Sequence, residues 1–316
     1  MLLNMASLII MVGVAGSGKD TWINETMAGD NVAKSYHHHA SDDIRMELYG
    51  YLKNDGNPQE VFDIMNKRTW ESLENGKNVF YNATNINRKR RAALYTEAKR
   101  LGHDVGIVYF MRPLQYLLDI NTRREKHKKV PVDVIKRMYK NIQPPRIEVD
   151  CDTFFIIGHP YFQEKTHEVV MGGLSDLVES TVCPQVREEL MLNYQPHDTP
   201  YHLESINEHI DMAVQNSTTP NMKLVSLFHD LGKGICKENG TYYGHENVSA
   251  NYMLNLLWYA SVENYDLVEM VFQHMNAHQE GGLGRRVIGR NQINIHLAEA
   301  IQRFAEIDNK SRVVGG

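Results

Sequence analysis

Leu8-Ile9-Ile10-Met11-Val12 runs into Gly13-Val14-Ala15-Gly16-Ser17-Gly18-Lys19-Asp20-Thr21 and then into Trp22-Ile23-Asn24-Glu25. An apolar run of buried-strand length leads into a glycine-rich turn and then a helix. In that order a P-loop presents its backbone N–H groups to phosphates. The stretch reads as a nucleoside-triphosphate site, with Gly13, Gly16, Ser17, Gly18, Lys19, Asp20 and Thr21 as the candidate binding residues for ATP and Mg2+. The glycines allow close backbone approach and positive φ, and Lys19 reaches the β- and γ-phosphates as a point charge. One position departs from the pattern: the Ser or Thr expected directly after the lysine is Asp20. A carboxylate is a good hard-cation ligand, but it adds negative charge beside ATP.

The chain of 316 residues has room for two ordinary domains. Its 42% hydrophobic and 23% charged content is that of a soluble globular protein. A net charge of -5 excludes a surface coated in basic patches, so any nucleic-acid contact must come from local clusters. Cys151, Cys183 and Cys236 are too few and too scattered for a disulfide framework, which fits a reducing compartment. The first apolar segment lacks a basic flank and ends in the P-loop, and no run approaches membrane-spanning length. A cytoplasmic protein without membrane contact is expected. Of the 15 histidines most fall in the C-terminal half, which suggests metal chemistry there. The triplet His37-His38-His39 lies in an apparent second strand, and a structural or surface role suits it.

Further along, Ala40-Ser41-Asp42-Asp43-Ile44-Arg45 reads as a strand end and a capped helix start. Asp42 and Arg45 stand three apart, so one helical turn aims both at one cleft. Taken alone, a cap with Arg45 paired to Glu47 or Glu71 on the surface is the simpler reading. Helical periodicity covers Glu60 to Glu74, a strand is expected over Asn78 to Asn85, a basic helix over Arg88 to Leu101 and a strand over His103 to Phe110. Alternating strands and helices imply a parallel sheet with helices on both faces. A helix starting at Leu114 runs into the basic stretch Arg123-Arg124-Glu125-Lys126-His127-Lys128-Lys129 before Pro131. Such a stretch is usually a solvated face; in a P-loop kinase it is also the character of a lid that brings cations to the transferring phosphoryl group.

Together these blocks, with Asn82-Ala83-Thr84-Asn85 and Val130-Pro131-x-Asp133-Val134-Ile135, resemble the kinase domain of bacteriophage-type 5′-OH polynucleotide kinases over about residues 6 to 150. The resemblance implies an α/β P-loop kinase domain. In it Asp42 would be the general base, Arg45 would hold the phosphate next to the attacking hydroxyl, and Arg124, with Arg123, would clamp ATP. Thr84 and Asn85 would line the site. Asp20 and the missing acid at Asn82-Ala83 depart from the family pattern, which leaves metal handling open.

Beyond the strand-like Thr153 to Gly158 the pattern turns helical from about residue 174, and domains over residues 1–165 and 166–316 are expected. His209, the doublet His229-Asp230, His245, His274 and Asp308 stand out. A His-Asp doublet cannot follow one helix face, so a metal would draw the two together at a helix end. The ordered set Tyr201-His202 to His209, His229-Asp230-Leu231-Gly232-Lys233, Gly244-His245-Glu246, Gln273-His274 and Asp308-Asn309 resembles the HD phosphohydrolase superfamily. That resemblance implies an all-α domain. His209, His229, Asp230 and Asp308 would hold one divalent transition metal (Mn2+, Ni2+, Co2+ or Zn2+), and His245 and His274 would extend the site to a second ion through Asp230. Lys233 would contact the substrate phosphate. His202 and His278 compete for ligand or substrate roles, but an ordinary surface or hydrogen-bonded histidine is the preferred reading of each.

A 5′-hydroxyl kinase joined to a metal-dependent phosphoesterase implies the healing of broken nucleic-acid ends, RNA or DNA, with a ligase as functional partner, in the host cytoplasm if the gene is a phage's. Two other readings stay open: a nucleoside or nucleotide kinase joined to a nucleotidase, and a regulatory ATPase with a sensing histidine domain.

Overall fold

The computed structural model describes residues 5–50, 56–158, 197, 203–259, 261–278 and 282–313. The chain divides into two compact units, Met1–Ile157 and Gly158–Gly316. The boundary expected after residue 165, along with His202 and Cys183, lies outside the described residues.

In the first unit the opening apolar run forms β1 (Ser7–Val12), in which Leu8, Ile10, Met11 and Val12 are fully buried. A strand covered on both faces needs such a continuous apolar run, and that need places β1 at the centre of a parallel sheet. Around it lie β2 (His37–Ala40), β3 (Val79–Asn82), β4 (Asp104–Phe110) and β5 (Thr153–Ile157), in the order β2-β3-β1-β4-β5. All four pairings are parallel. The register sets Met11 beside Asn82 and Ala40 beside Asn82. The loops after β1, β2 and β3 therefore meet at one carboxyl edge, the ligand-binding edge of such sheets.

The connecting helices are α1 (Lys19–Gly29), α2 (Ser41–Tyr49), α3 (Pro58–Glu74), α4 (Arg88–Arg100), α5 (Leu114–Arg123) and α6 (Val132–Asn141). Asn57 caps α3 by accepting from the Gln59 N–H, and Pro58 opens the helix, so it starts two residues before the periodicity does. β3 ends at Asn82, short of the expected Asn85, because Asn85 takes a left-handed φ of 46° and turns the chain. That turn is held by Arg91, whose Nη1 donates to Asn85 O at 2.8 Å while its Nε donates to Asp150 at 2.8 Å. The Arg91–Asp150 pair is completely buried, and further bonds from Arg91 to Gln143 O and Pro144 O satisfy the guanidinium.

Among its described residues the second unit is helical: α7 (Ile206–Asn216), α8 (Pro220–Phe228), α9 (Lys233–Cys236), α10 (His245–Tyr259), α11 (Asp266–Ala277), α12 (Arg285–Arg290) and α13 (Ile295–Lys310). A capping box of Ser205 and Glu208 starts α7, Thr219 with Pro220 starts α8, and Asn294 caps α13. Ile210, Val225, Leu231, Met253, Val271, Ile301 and Phe304 are buried between these helices.

Candidate nucleotide site and candidate metal centre

The loop after β1 has the geometry that its sequence requires. Gly18 sits at φ 97° as the N-cap of α1, a conformation that a side chain would strain. A Cβ on Gly13 would come within 2.5 Å of Ser17 Oγ and 2.9 Å of Phe110 Cβ, so only glycine fits that approach. Lys19 is buried and donates to Gly13 O at 2.9 Å and Val14 O at 3.1 Å. Burial pulls its pKa down to about 8, with Asp20 and Asp42 opposing the shift and Arg124 adding to it. Residues from α1, from α2 and from the end of α5 thus bear on one ammonium.

Arg45 Nη1 donates to Asp42 Oδ1 at 2.6 Å. Neither Glu47 nor Glu71 takes Arg45; Glu47 is held by Arg68. The Asp42 side chain is 59% exposed and so open to a group arriving from solvent. Thr84 and Asn85 tie two strand ends together: Gly13 N–H donates to Thr84 O, and Asn85 Nδ2 donates to Met11 O at 2.8 Å. In the basic segment, Asn121 bonds Val130 through both ends of its amide, donating to Val130 O at 2.8 Å and accepting from Val130 N–H at 3.0 Å. This closes the loop from Thr122 to Lys129. Within it Arg123 is exposed, while Arg124 Nη1 is buried without a hydrogen-bond partner. A buried, unsatisfied guanidinium N–H next to a P-loop lysine fits a nucleotide phosphate.

The second unit brings its six metal candidates together. His209 lies on α7, His229 at the C-terminus of α8, Asp230 just beyond it, His245 at the start of α10, His274 on α11 and Asp308 on α13. All six are buried, and they form two groups, His209–His229–Asp308 and Asp230–His245–His274, each with its donor atoms within 4.8 Å of one another. The two oxygens of Asp230 face different groups. Oδ2 lies 3.2 Å from His229 Nε2, and Oδ1 lies 3.3 Å from His245 Nε2.

Each histidine has its Nδ1 against a backbone carbonyl: His209 to Ser311 O at 2.9 Å, His229 to Ser226 O at 2.7 Å, His245 to Tyr242 O at 2.8 Å and His274 to Val271 O at 2.6 Å. A carbonyl only accepts, so Nδ1 carries a hydrogen and each ring turns its Nε2 to the centre. Those atoms face each other in pairs, His209 with His229 at 3.3 Å and His245 with His274 at 3.1 Å. Two lone pairs at such distances repel unless a cation or proton lies among them. The donor set, mixed nitrogen and carboxylate, fits divalent transition metals. The charges in the cluster act strongly on one another. Burial would raise the Asp230 pKa, but the charges of His229 and Lys233 hold it well below the usual carboxylate range. Burial lowers the His274 pKa, with His245 and His229 adding to the effect. For His209 burial is outweighed by the hydrogen bond to Asp308, and its pKa rises.

A cavity of about 510 Å³ opens on this cluster, lined among others by Asp230, Lys233, His245, His274, Asp308 and Arg312. Lys233 Nζ lies 2.5 Å from Asp230 Oδ2 and 3.3 Å from His197 Nε2. His278, weighed as a ligand in the sequence, instead bonds Asp308 Oδ2 at 2.5 Å and holds that carboxylate. Sequence reasoning missed His197 and Arg312. Arg312 stands four residues after Asp308, a helical spacing that could have flagged it, whereas His197 carries no local signal.

The family model described as AAA domain matches residues 8–145. A curated relative, L-seryl-tRNA(Sec) kinase of Methanococcus maripaludis, is 29% identical over 141 residues, which are 44% of this chain and 53% of that protein. The chain spans about half the length of this relative. Over residues 8–145 the N-terminal region is thus similar to P-loop kinase domains.

Proposed function

We propose that the chain, a P-loop kinase domain followed by a helical unit centred on histidines and aspartates, is a bifunctional nucleic-acid end-healing enzyme. The first unit phosphorylates 5′-hydroxyl ends from ATP; the second removes 3′-phosphates or opens 2′,3′-cyclic phosphates. The observation that carries the pairing is Asp230, a buried carboxylate whose two oxygens face two separate histidine pairs beneath an open cavity.

In the kinase unit Asp42 takes the proton of the hydroxyl as its oxygen bonds the γ-phosphorus and the bond to the β,γ-bridging oxygen breaks, releasing ADP. Lys19 and Arg124 offset the charge on the transferring group, and Arg45 orients Asp42 and the acceptor's neighbouring phosphate. The exposure of Asp42 suits a polymeric acceptor. The named substrate of the relative, a seryl-tRNA, supports a hydroxyl acceptor carried on RNA. In the second unit His209, His229 and Asp308 would hold one divalent ion and His245 and His274 another, with Asp230 between them. Such ions supply Lewis-acid and water-activating chemistry. Lys233 and Arg312 would hold the phosphoester's oxygens.

The test is to incubate oligonucleotides bearing 5′-hydroxyl and 3′-phosphate or cyclic phosphate ends with ATP and Mg2+, Mn2+, Ni2+, Co2+ or Zn2+, then resolve both ends. The unaltered chain should change both. Asp42→Asn should lose only the 5′ reaction. Asp230→Asn should lose only the 3′ reaction, by more than the roughly 100-fold typical of groups that merely support a ligand. Equal kinase activity on free nucleosides would overturn the polynucleotide assignment, and an unchanged 3′ end with every metal would overturn the phosphoesterase.

A further inference from the structure

P-loop NTPases hold magnesium with a hydroxyl directly after the P-loop lysine and a carboxylate on a nearby strand, so the ion has one acid and one neutral ligand from the protein. Here the position after Lys19 is an acid, Asp20, and the end of β3, the strand beside β1, is neutral Asn82. The two side chains touch: Asn82 Nδ2 donates to Asp20 Oδ1 at 2.6 Å. We propose that Asp20 supplies the carboxylate for the magnesium that accompanies ATP and that Asn82 is its neutral partner, so that acid and neutral group have exchanged elements. The inference rests on the first unit being an ATP site and extends it to the ion.

Three observations favour a ligand over a helix cap. The cap of α1 is Gly18, with no side-chain cap bond, so Asp20, in the first turn, makes no capping hydrogen bond. The amide of Asn82 is oriented: Nδ2 also lies 3.1 Å from His38 Nε2. Turning that amide over would set Oδ1 against the Asp20 carboxylate, so its two N–H groups go to Asp20 and His38 and its oxygen is left over. His38, from the puzzling triplet, is thus a positioning residue that acts through Asn82. Its neighbours have a separate task, with His37 and His39 both bonding Ser72. Finally, Asp20 directly follows Lys19, whose ammonium rests on the loop carbonyls of Gly13 and Val14, so Asp20 stands at the phosphate end of the loop. The exchange leaves the charge beside the triphosphate as it is in an ordinary P-loop, which answers the objection that Asp20 adds a negative charge.

The experiment compares the full chain with Asp20→Ser, Asp20→Asn and the exchanged pair Asp20→Ser with Asn82→Asp. ATP affinity is read by calorimetry in chelator and in Mg2+, and Mn2+ binding to the ATP complex by electron paramagnetic resonance. Circular dichroism checks the fold. Both single variants remove a negative charge beside the phosphates, so they should bind ATP in chelator at least as tightly as the unaltered chain does, yet lose about tenfold or more of the gain that Mg2+ gives. The exchanged pair should recover that gain to within a few-fold. Asp20→Asn keeps the side-chain shape, so a folding defect confined to Asp20→Ser leaves the test intact. A full Mg2+ gain in either single variant overturns the inference, as does an exchanged pair that folds but recovers nothing. No ATP binding by the unaltered chain, with or without Mg2+, overturns the kinase reading itself.

Discussion

Lys19 connects the loop's geometry to a measurable titration. Its ammonium rests on two loop carbonyls, and burial brings its pKa to about 8, far below an exposed lysine. Bound phosphates require the charged form. Below pH 8 the free protein already carries that proton, and ATP affinity should be flat. Above pH 8 the free lysine is neutral and binding must take up a proton, so affinity should fall about tenfold per pH unit. Calorimetric titration from pH 7 to 10 checks this; Lys19→Arg, which stays charged, should flatten the fall. An affinity unchanged across pH 8 to 10 in the unaltered chain would contradict the assigned role. At this scale the sequence was informative wherever residue type and local spacing set the chemistry: Lys19, the Asp42–Arg45 pair and the His229–Asp230 doublet. It marked the missing acid at Asn82-Ala83 and the histidine triplet but could not join Asn82 to Asp20 or to His38, which lie 62 and 44 residues from it along the chain.

The elements owe their ends to short-range rules and their shapes to longer-range contacts. Asn57-Pro58 starts α3 by capping, a signal present in the sequence and overlooked when only periodicity was followed. The early end of β3 was not legible, since the turn at Asn85 depends on buried Arg91 reaching across from α4. The basic segment after α5 behaves as one closed loop because Asn121 holds both the N–H and the C=O of Val130. Asn121→Ala removes two hydrogen bonds at a buried position, so unfolding in urea should show a loss of about 1–3 kcal/mol. The same change should raise the Kd for ATP, since Arg124 then approaches the nucleotide from an untethered loop. Stability lost without any change in Kd would mean that the loop does not act on ATP.

For the whole molecule, two ligands should stabilise two different units. A ligand that binds only the folded state adds RT ln(1 + [L]/Kd), about 2.7 kcal/mol at a hundredfold excess over Kd. Scanning calorimetry of the chelator-treated chain should show one stabilisation on adding ATP with Mg2+ and a separate one on adding Mn2+. Lys19→Ala should abolish the first shift and keep the second, and His229→Ala should do the reverse. Mn2+ stabilisation that survives His229→Ala would remove the histidine cluster as its source. The division after Ile157 makes this separation testable in the intact chain.

By itself the sequence determined the central strand, the phosphate loop and the alternation that makes a parallel sheet, because each follows from residue type and from spacing within a turn or a strand; the six buried candidate ligands stood out by residue type, and their metal roles were what a family resemblance implied. Only the tertiary structure decided that Asp20 meets Asn82, that four Nε2 atoms are turned inward by four backbone carbonyls, that Asp230 divides its oxygens between two histidine pairs, and that His197 and Arg312 join the cavity. Those contacts join segments far apart in the chain. Their geometry is set by helix and strand packing, which local spacing does not encode.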